Sequence, residues 1–375
     1  MLNEKTAIGP GLLFMLNFSA VYGYGFFLSM YFAAKYFGVN GIWGGILIFI
    51  LMIPVLYIVT DLGHRFPGKS IIRYLPEITN AFPAKIIGFV YLVFLVLLTC
   101  WSLNIISRIF NLYLLPRTPF QVILGLILLI EFYITSKGIE GISRVTAFIF
   151  IFCLIFVLLF TVSSYQNFQL DNVLPIFDFT LKDLKNGKYF EGIIHLFNVG
   201  LPSAMLFMVY PYLSERRKGL KTLLVSSGLA VLLIEMVIIS NIGIWGSKGV
   251  LQFDWPFMEL GKQTNIPVIL QTVGLFVLPI MLIQNLFAGS SFYFATAQGC
   301  SEFFGKYNYR IYRWFLLPII FFTSVWTTNA VVIRSLFNYF VAFGFGVVFI
   351  LPLFLWLIAL MRPEKTAGSE RGQSK

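Results

Sequence analysis

Runs of about twenty consecutive apolar residues recur along the whole 375-residue chain, and they decide its class of fold. A hydrocarbon core about 30 Å thick needs roughly 20 residues of helix to cross it. Residues 83–113, for example, contain two charged side chains, Lys85 and Arg108. The runs are continuous and do not alternate, which argues against an outer-membrane barrel and leaves the α-helix as the spanning element. Charged residues make up 11% of the chain, against about 25% in soluble domains. A water-soluble enzyme, a nucleic-acid binder and a secreted scaffold are excluded on that ground.

The expected fold is an all-α polytopic membrane protein with ten transmembrane helices. The spans are read at about 9–35, 40–60, 83–113, 119–136, 143–164, 188–212, 219–245, 265–298, 311–329 and 334–361. Residues 1–375 form a single transmembrane domain, with 1–164 and 188–361 as two five-helix halves and 363–375 as a disordered tail. The formal charge of +11 comes from Lys and Arg gathered in alternate loops. About two-thirds of the 27 basic residues fall on the side of the N-terminus, which puts both termini in the cytoplasm. Cys100, Cys153 and Cys300 lie within apolar runs and read as free thiols. Two histidines, His64 and His195, make a His-rich metal site untenable. No P-loop, HExxH or nucleophile elbow is present, so no catalytic role and no cofactor is expected.

Interruptions in the spans point to a binding site. The first span holds Asn17-Phe18-Ser19-Ala20-Val21-Tyr22-Gly23-Tyr24-Gly25, and the sixth holds Asn198-Val199-Gly200-Leu201-Pro202-Ser203. They occupy corresponding positions in the two halves. Gly and Pro interrupt a helix, and paired interrupted spans mark the binding site in secondary transporters. The alternative is that the glycines allow close helix packing. Ionisable groups within spans are costly and functional by default, so Glu131 and Glu235 are candidates for a proton relay or for hydrogen bonding to a neighbouring helix. Glu140 and Arg144 form an i,i+4 pair, Arg108 and Arg334 snorkel, and His195 is either a pH-sensitive gate or an interfacial histidine. Trp43, Trp101, Trp245, Trp255 and Trp314 are expected near span ends.

A series of short motifs also resembles a known family. In chain order they are Arg65-Phe66-Pro67-Gly68-Lys69-Ser70, Leu114-Leu115-Pro116-Arg117-Thr118-Pro119, Lys137-Gly138-Ile139-Glu140-Gly141-Ile142-Ser143-Arg144, Asn172-Val173-Leu174-Pro175-Ile176, Tyr210-Pro211-Tyr212-Leu213 and Asp254-Trp255-Pro256. Their order and spacing resemble the endospore germination permease family, the GerAB-like B subunits of nutrient germinant receptors, within the amino acid–polyamine–organocation superfamily.

The resemblance implies a LeuT-like 5+5 inverted repeat with broken helices 1 and 6. It implies a spore inner membrane location, a small germinant such as an amino acid as ligand, and A-type and C-type receptor subunits as partners. A secondary amino-acid transporter, proton-coupled or uncoupled, is the alternative. The ligand-binding residues it suggests are Gly23 and Gly25 in span 1, Phe94 and Leu98 in span 3, Asn198, Gly200 and Ser203 in span 6, and Phe287 and Ser291 in span 8; Asn17 and Ser19 join them from the interrupted stretch of span 1.

Overall fold

The computed structural model describes residues 7–175, 187–263, 274–305, 308–326 and 330–361, the side chains of 262–263, 274–277 and 330–335 excepted. The tail 363–375 and the side chain of Arg334 therefore lie outside the described residues. The helices are α1 (Pro10–Phe37), α2 (Gly44–Arg65), α3 (Ile71–Ile78), α4 (Ala81–Ile109), α5 (Phe120–Ser136), α6 (Gly138–Ser164), α7 (Lys188–Leu196) and α8 (Leu206–Val209). They continue as α9 (Gly219–Val250), α10 (Pro256–Gln263), α11 (Gly274–Phe304), α12 (Tyr309–Trp326), α13 (Ala330–Phe345) and α14 (Leu351–Met361). Among the described residues no strand forms, and one isolated parallel bridge joins Ile8 to Leu213.

Helix α1 is the axis of the molecule. Pro10 opens it at a position where its missing N–H costs nothing, and Gly38, at φ 61°, ends it. Residues 16–27 are buried without interruption, so this stretch is enclosed on every face. Its partners are chiefly α9 and α11, then the segment after α7, and α6. The outer helices show the opposite pattern. Phe148 and Val162 of α6 and Phe322 of α12 are 63%, 67% and 70% exposed. Apolar surface on this scale needs lipid around it.

Seven helical segments among the described residues are long and apolar enough to cross a membrane. The first, Pro10–Arg65, is 56 residues long and contains both α1 and α2. Helix α5 has 17 residues, about 26 Å at 1.5 Å per residue, short of a full hydrocarbon crossing. Helix α12 is broken in polarity by Arg310 and Arg313 near its start. The chain is thus an integral membrane protein of helices, and seven such segments do not establish the expected count of ten.

The two expected interruptions turn out differently. After α7 the backbone tightens into a 3-10 helix from Phe197 to Met205, nine residues long and buried throughout. Runs beyond three or four residues are uncommon because 3-10 hydrogen bonds are poorly aligned. Pro202 lies inside this run and lacks a backbone N–H to give to an α-helix. By contrast, α1 is a continuous α-helix through Asn17–Gly25. The break expected in span 1 is not there. Its glycines are used for close packing instead.

At one end the chain is clasped shut. Ile8 N–H donates to Tyr212 O at 2.9 Å, and Ser214 N–H donates back to Ile8 O at 3.1 Å. Close by, Glu302 at the end of α11 accepts from Ser70, which precedes α3, and from Gln298 at 2.7 Å. Its cation partner is Arg73, 3.3 Å away.

Candidate functional site

The middle of α1 meets the 3-10 segment on one side and α11 on the other. A Cβ on Gly23 would stand 2.6 Å from Gln284 O and 3.0 Å from Asn285 N. A Cβ on Gly25 would stand 2.7 Å from Val199 Cγ1 and 3.0 Å from Val199 Cα. Both approaches need glycine, because any side chain would push a neighbouring backbone away. Gly23 and Gly25 are therefore at the junction of the expected helices, and protein fills the space beside them.

Polar side chains bind this junction together. Tyr24 O–H donates to Asn198 Oδ1 at 3.1 Å. Asn285 Nδ2 donates to Gly23 O at 2.8 Å, and Ser102 of α4 donates to Asn285 Oδ1 at 3.2 Å. Ser19 O–H donates to Gln284 O at 3.3 Å. The Tyr24 ring meets Phe292 of α11 edge to face, with centroids 5.8 Å apart.

Several buried polar atoms here have no hydrogen-bond partner among the described residues. They are Asn198 Nδ2, Ser203 Oγ and both amide atoms of Gln284. Buried polar groups are paired in the great majority of cases, so a cluster of exceptions calls for a ligand, an ion or water. Neutral amides and hydroxyls both donate and accept. They can orient a small polar ligand without a fixed counter-charge.

Other expected site residues lie further out or are occupied. Asn17 Nδ2 donates to Ser226 and Ser227 of α9, at 2.7 and 2.8 Å, so it ties α1 to α9. Ser291 donates to Phe287 O of its own helix at 2.8 Å. Phe94 stacks on Phe340 of α13, with centroids 5.8 Å apart. Leu98 and Phe287 are buried. A Cβ on Gly200 would meet the Phe197 ring at 2.9 Å, within the 3-10 segment itself.

The two buried glutamates differ. Glu235 Oε2 accepts the Gly45 N–H at 2.7 Å. It thus meets a backbone N–H in the first turn of α2, where a carboxylate complements the helix dipole. Glu131 is fully buried, and neither carboxyl oxygen has a partner among the described residues. It lies against Gly289 of α11, and a Cβ on that glycine would also reach Ser102 Oγ at 3.3 Å.

His195 joins three helices. Its Nδ1 lies 2.8 Å from the Glu191 carbonyl oxygen, and Nε2 lies 2.9 Å from Asn338 Oδ1 of α13. Its ring stacks on Tyr36 of α1 at 4.8 Å. Glu140 and Arg144 do pair, at 2.6 Å. Trp101 is not at a span end; it lies within α4. Cys100, Cys153 and Cys300 are free and buried.

Sequence reasoning missed Gln284, Asn285 and Ser102. Two adjacent amides in the apolar run of 278–288 were a usable signal, since polar groups in a span face protein partners.

Comparison with known proteins agrees with this architecture. The family model described as "Spore germination protein" matches residues 7–333. Spore germination protein YndE of Bacillus subtilis is 22% identical over 274 residues, covering 72% of this chain and 74% of that protein. Spore germination protein B2 of the same organism is 21% identical, covering 86% of this chain and 88% of its own. Spore germination protein GerQB of Bacillus cereus is 21% identical, covering 94% and 95%. Among solved structures, MhsT in complex with L-phenylalanine matches with a TM-score of 0.66 at 14% identity, covering 93% of this chain and 97% of that one. A Na+-coupled sialic acid symporter matches with a TM-score of 0.62 at 12% identity, covering 91% and 78%. At such identities these two show a shared fold. A family match over residues 7–333, on a helical membrane fold built around α1, makes this chain a member of the spore germination protein family.

Proposed function

We propose that this chain is the permease-like membrane subunit of a nutrient germinant receptor. In this reading it binds an amino acid or similar small germinant at mid-membrane, where α1, the 3-10 segment and α11 meet beside α4. Binding shifts a conformational equilibrium that A-type and C-type receptor subunits read, and germination follows. The chain crosses the spore inner membrane ten times, as inverted repeats 1–164 and 188–361, with both termini in the cytoplasm.

The observation that carries this reading is the buried 3-10 run Phe197–Met205, with Asn198 Nδ2 and Ser203 Oγ unpartnered among the described residues. A strained, incompletely satisfied segment packed on α1 is a natural place for a ligand to gain hydrogen bonds and tip an equilibrium. The names of the relatives and the amino acid held by MhsT support the ligand class.

The test is the germination of spores carrying Asn198→Ala in their sole receptor of this type. The amino-acid concentration for half-maximal response should rise about tenfold, the cost of one buried hydrogen bond. An unchanged dose response, with normal amounts of the protein in the membrane, would refute the site.

Glu131 favours a second reading, an active proton-coupled transporter. A fully buried carboxyl with no partner among the described residues is the kind of group that carries a proton across a membrane. Accumulation of an amino acid by this chain alone, driven by a pH gradient, would support it.

A further inference from the structure

Away from the central site, a cavity of about 300 Å³ opens between α4, α12 and α13. Its wall includes Leu97, Cys100 and Trp101 of α4, Thr323 of α12, and Phe340 and Phe343 of α13. Among the described residues no charged side chain lines it. Tyr339, also in the wall, is 75% exposed, and Phe322 and Trp326 of α12 are 70% and 86% exposed. In a membrane-spanning chain such side chains face hydrocarbon, so the cavity opens to lipid.

Two polar groups continue the line of this cavity along α4. Trp101 Nε1 is buried with no hydrogen-bond partner among the described residues. An indole N–H can only donate, and leaving it unmet in an apolar setting is costly. Arg108 lies seven residues beyond Trp101, which is about 10 Å along the helix and on the same face. Its Nε donates to Asn104 Oδ1 at 2.6 Å, and the guanidinium lies over the Phe120 ring at the start of α5, 5.2 Å from the centroid. The face therefore presents an apolar cavity, then a hydrogen-bond donor, then a cation. A phospholipid presents an acyl chain, an ester carbonyl and a phosphate in the same order.

We propose that this groove is a binding site for one phospholipid. Its acyl chain fills the cavity, an ester carbonyl accepts from Trp101 Nε1, and its phosphate lies at the Arg108 guanidinium. The site is tied to the centre of the molecule. Phe340 lines the cavity on one side and stacks on Phe94 on the other. The bound lipid thus braces α13 against α4.

The test is native mass spectrometry of the purified full chain after delipidation, with dioleoylphosphatidylglycerol as the probe. The unmodified chain should keep one adduct. Leu336→Trp, a change at the cavity wall, and Arg108→Gln should each lower retention about tenfold while the protein stays monodisperse. Retention at the unmodified level in both folded variants would overturn the proposal. So would a chain that keeps no lipid, as expected if a partner helix is the natural occupant. A measurement on the unmodified chain guards against a variant that fails to fold. A phosphatidylglycerol with a photoreactive acyl chain should crosslink mainly to 97–101 and 336–343. Labelling spread evenly over the lipid-facing sides of α5 and α6 would also overturn it.

Discussion

Gly25 of α1 lies so close to Val199 of the 3-10 segment that a Cβ on the glycine would stand 2.7 Å from Val199 Cγ1. The contact joins the two helices that an interrupted-repeat reading would place around a ligand. Here protein occupies that spot. Gly25→Ala should therefore destabilise the fold by about 1–3 kcal/mol, the usual cost of overpacking. Thermal unfolding in detergent measures it. Combining the change with Val199→Ala should recover part of the loss, a coupling that a double-mutant cycle reads directly. Normal stability in Gly25→Ala would mean that open space, and not Val199, faces the glycine.

Tyr24 O–H donates to Asn198 Oδ1 at 3.1 Å and so links α1 to the 3-10 segment through an expected site residue. Tyr24→Phe leaves Asn198 buried with no partner for either amide atom among the described residues. The expected cost is about 1–3 kcal/mol. If a ligand then satisfies the freed Asn198 oxygen, the loss will appear in stability without ligand and shrink with ligand present. Unfolding curves with and without a saturating amino acid should show this. Equal losses in both would argue that Asn198 does not touch ligand.

Glu235 holds the first turn of α2, through the Gly45 N–H at 2.7 Å. Glu235→Gln keeps an acceptor oxygen and should be tolerated. Glu235→Ala removes it and should cost about 1–2 kcal/mol, the range seen for lost helix caps. A proton relay role predicts the opposite ranking of function, with Gln as damaging as Ala in any pH-driven uptake.

Glu302 gathers Ser70, Arg73 and Gln298 at the clasped end of the molecule. Its side chain is 4% exposed, while that of Arg73 is 42% exposed. Glu302→Ala should therefore cost about 1–3 kcal/mol, since it strips partners from a buried network. Arg73→Ala should cost less, because Glu302 keeps its Ser70 and Gln298 donors and an ion pair to a half-exposed cation is worth little. Thermal unfolding of the two variants gives the ranking, and a reversed order would contradict the network.

The membrane class was legible because uninterrupted apolar runs leave a helix no other medium. The disturbance in span 6 was legible too, because Gly200 and Pro202 stand close together in an apolar run and neither suits an α-helix. The same reasoning misread span 1. Gly23 and Gly25 weaken a helix in isolation, yet here the backbones of α11 and Val199 press on them, and packing holds the helix together. A hydrogen bond from Glu235 to a neighbouring helix was one of the two readings open in the sequence, but its partner Gly45, 190 residues away, could not be named from it. The cluster around Asn285 was half legible. Adjacent Gln284 and Asn285 stand out among apolar neighbours, but nothing local reveals that Asn285 holds Gly23 and Ser102 at once.

The most direct test of the central claim is a time course of labelled amino-acid retention in proteoliposomes containing only this chain, under an imposed pH gradient. A sensor subunit with one site between α1 and the 3-10 segment predicts saturation at or below one ligand per chain, reached at about tenfold higher concentration in Asn198→Ala. Retention that climbs well beyond one ligand per chain and is released by detergent would contradict it, and would make the chain a transporter.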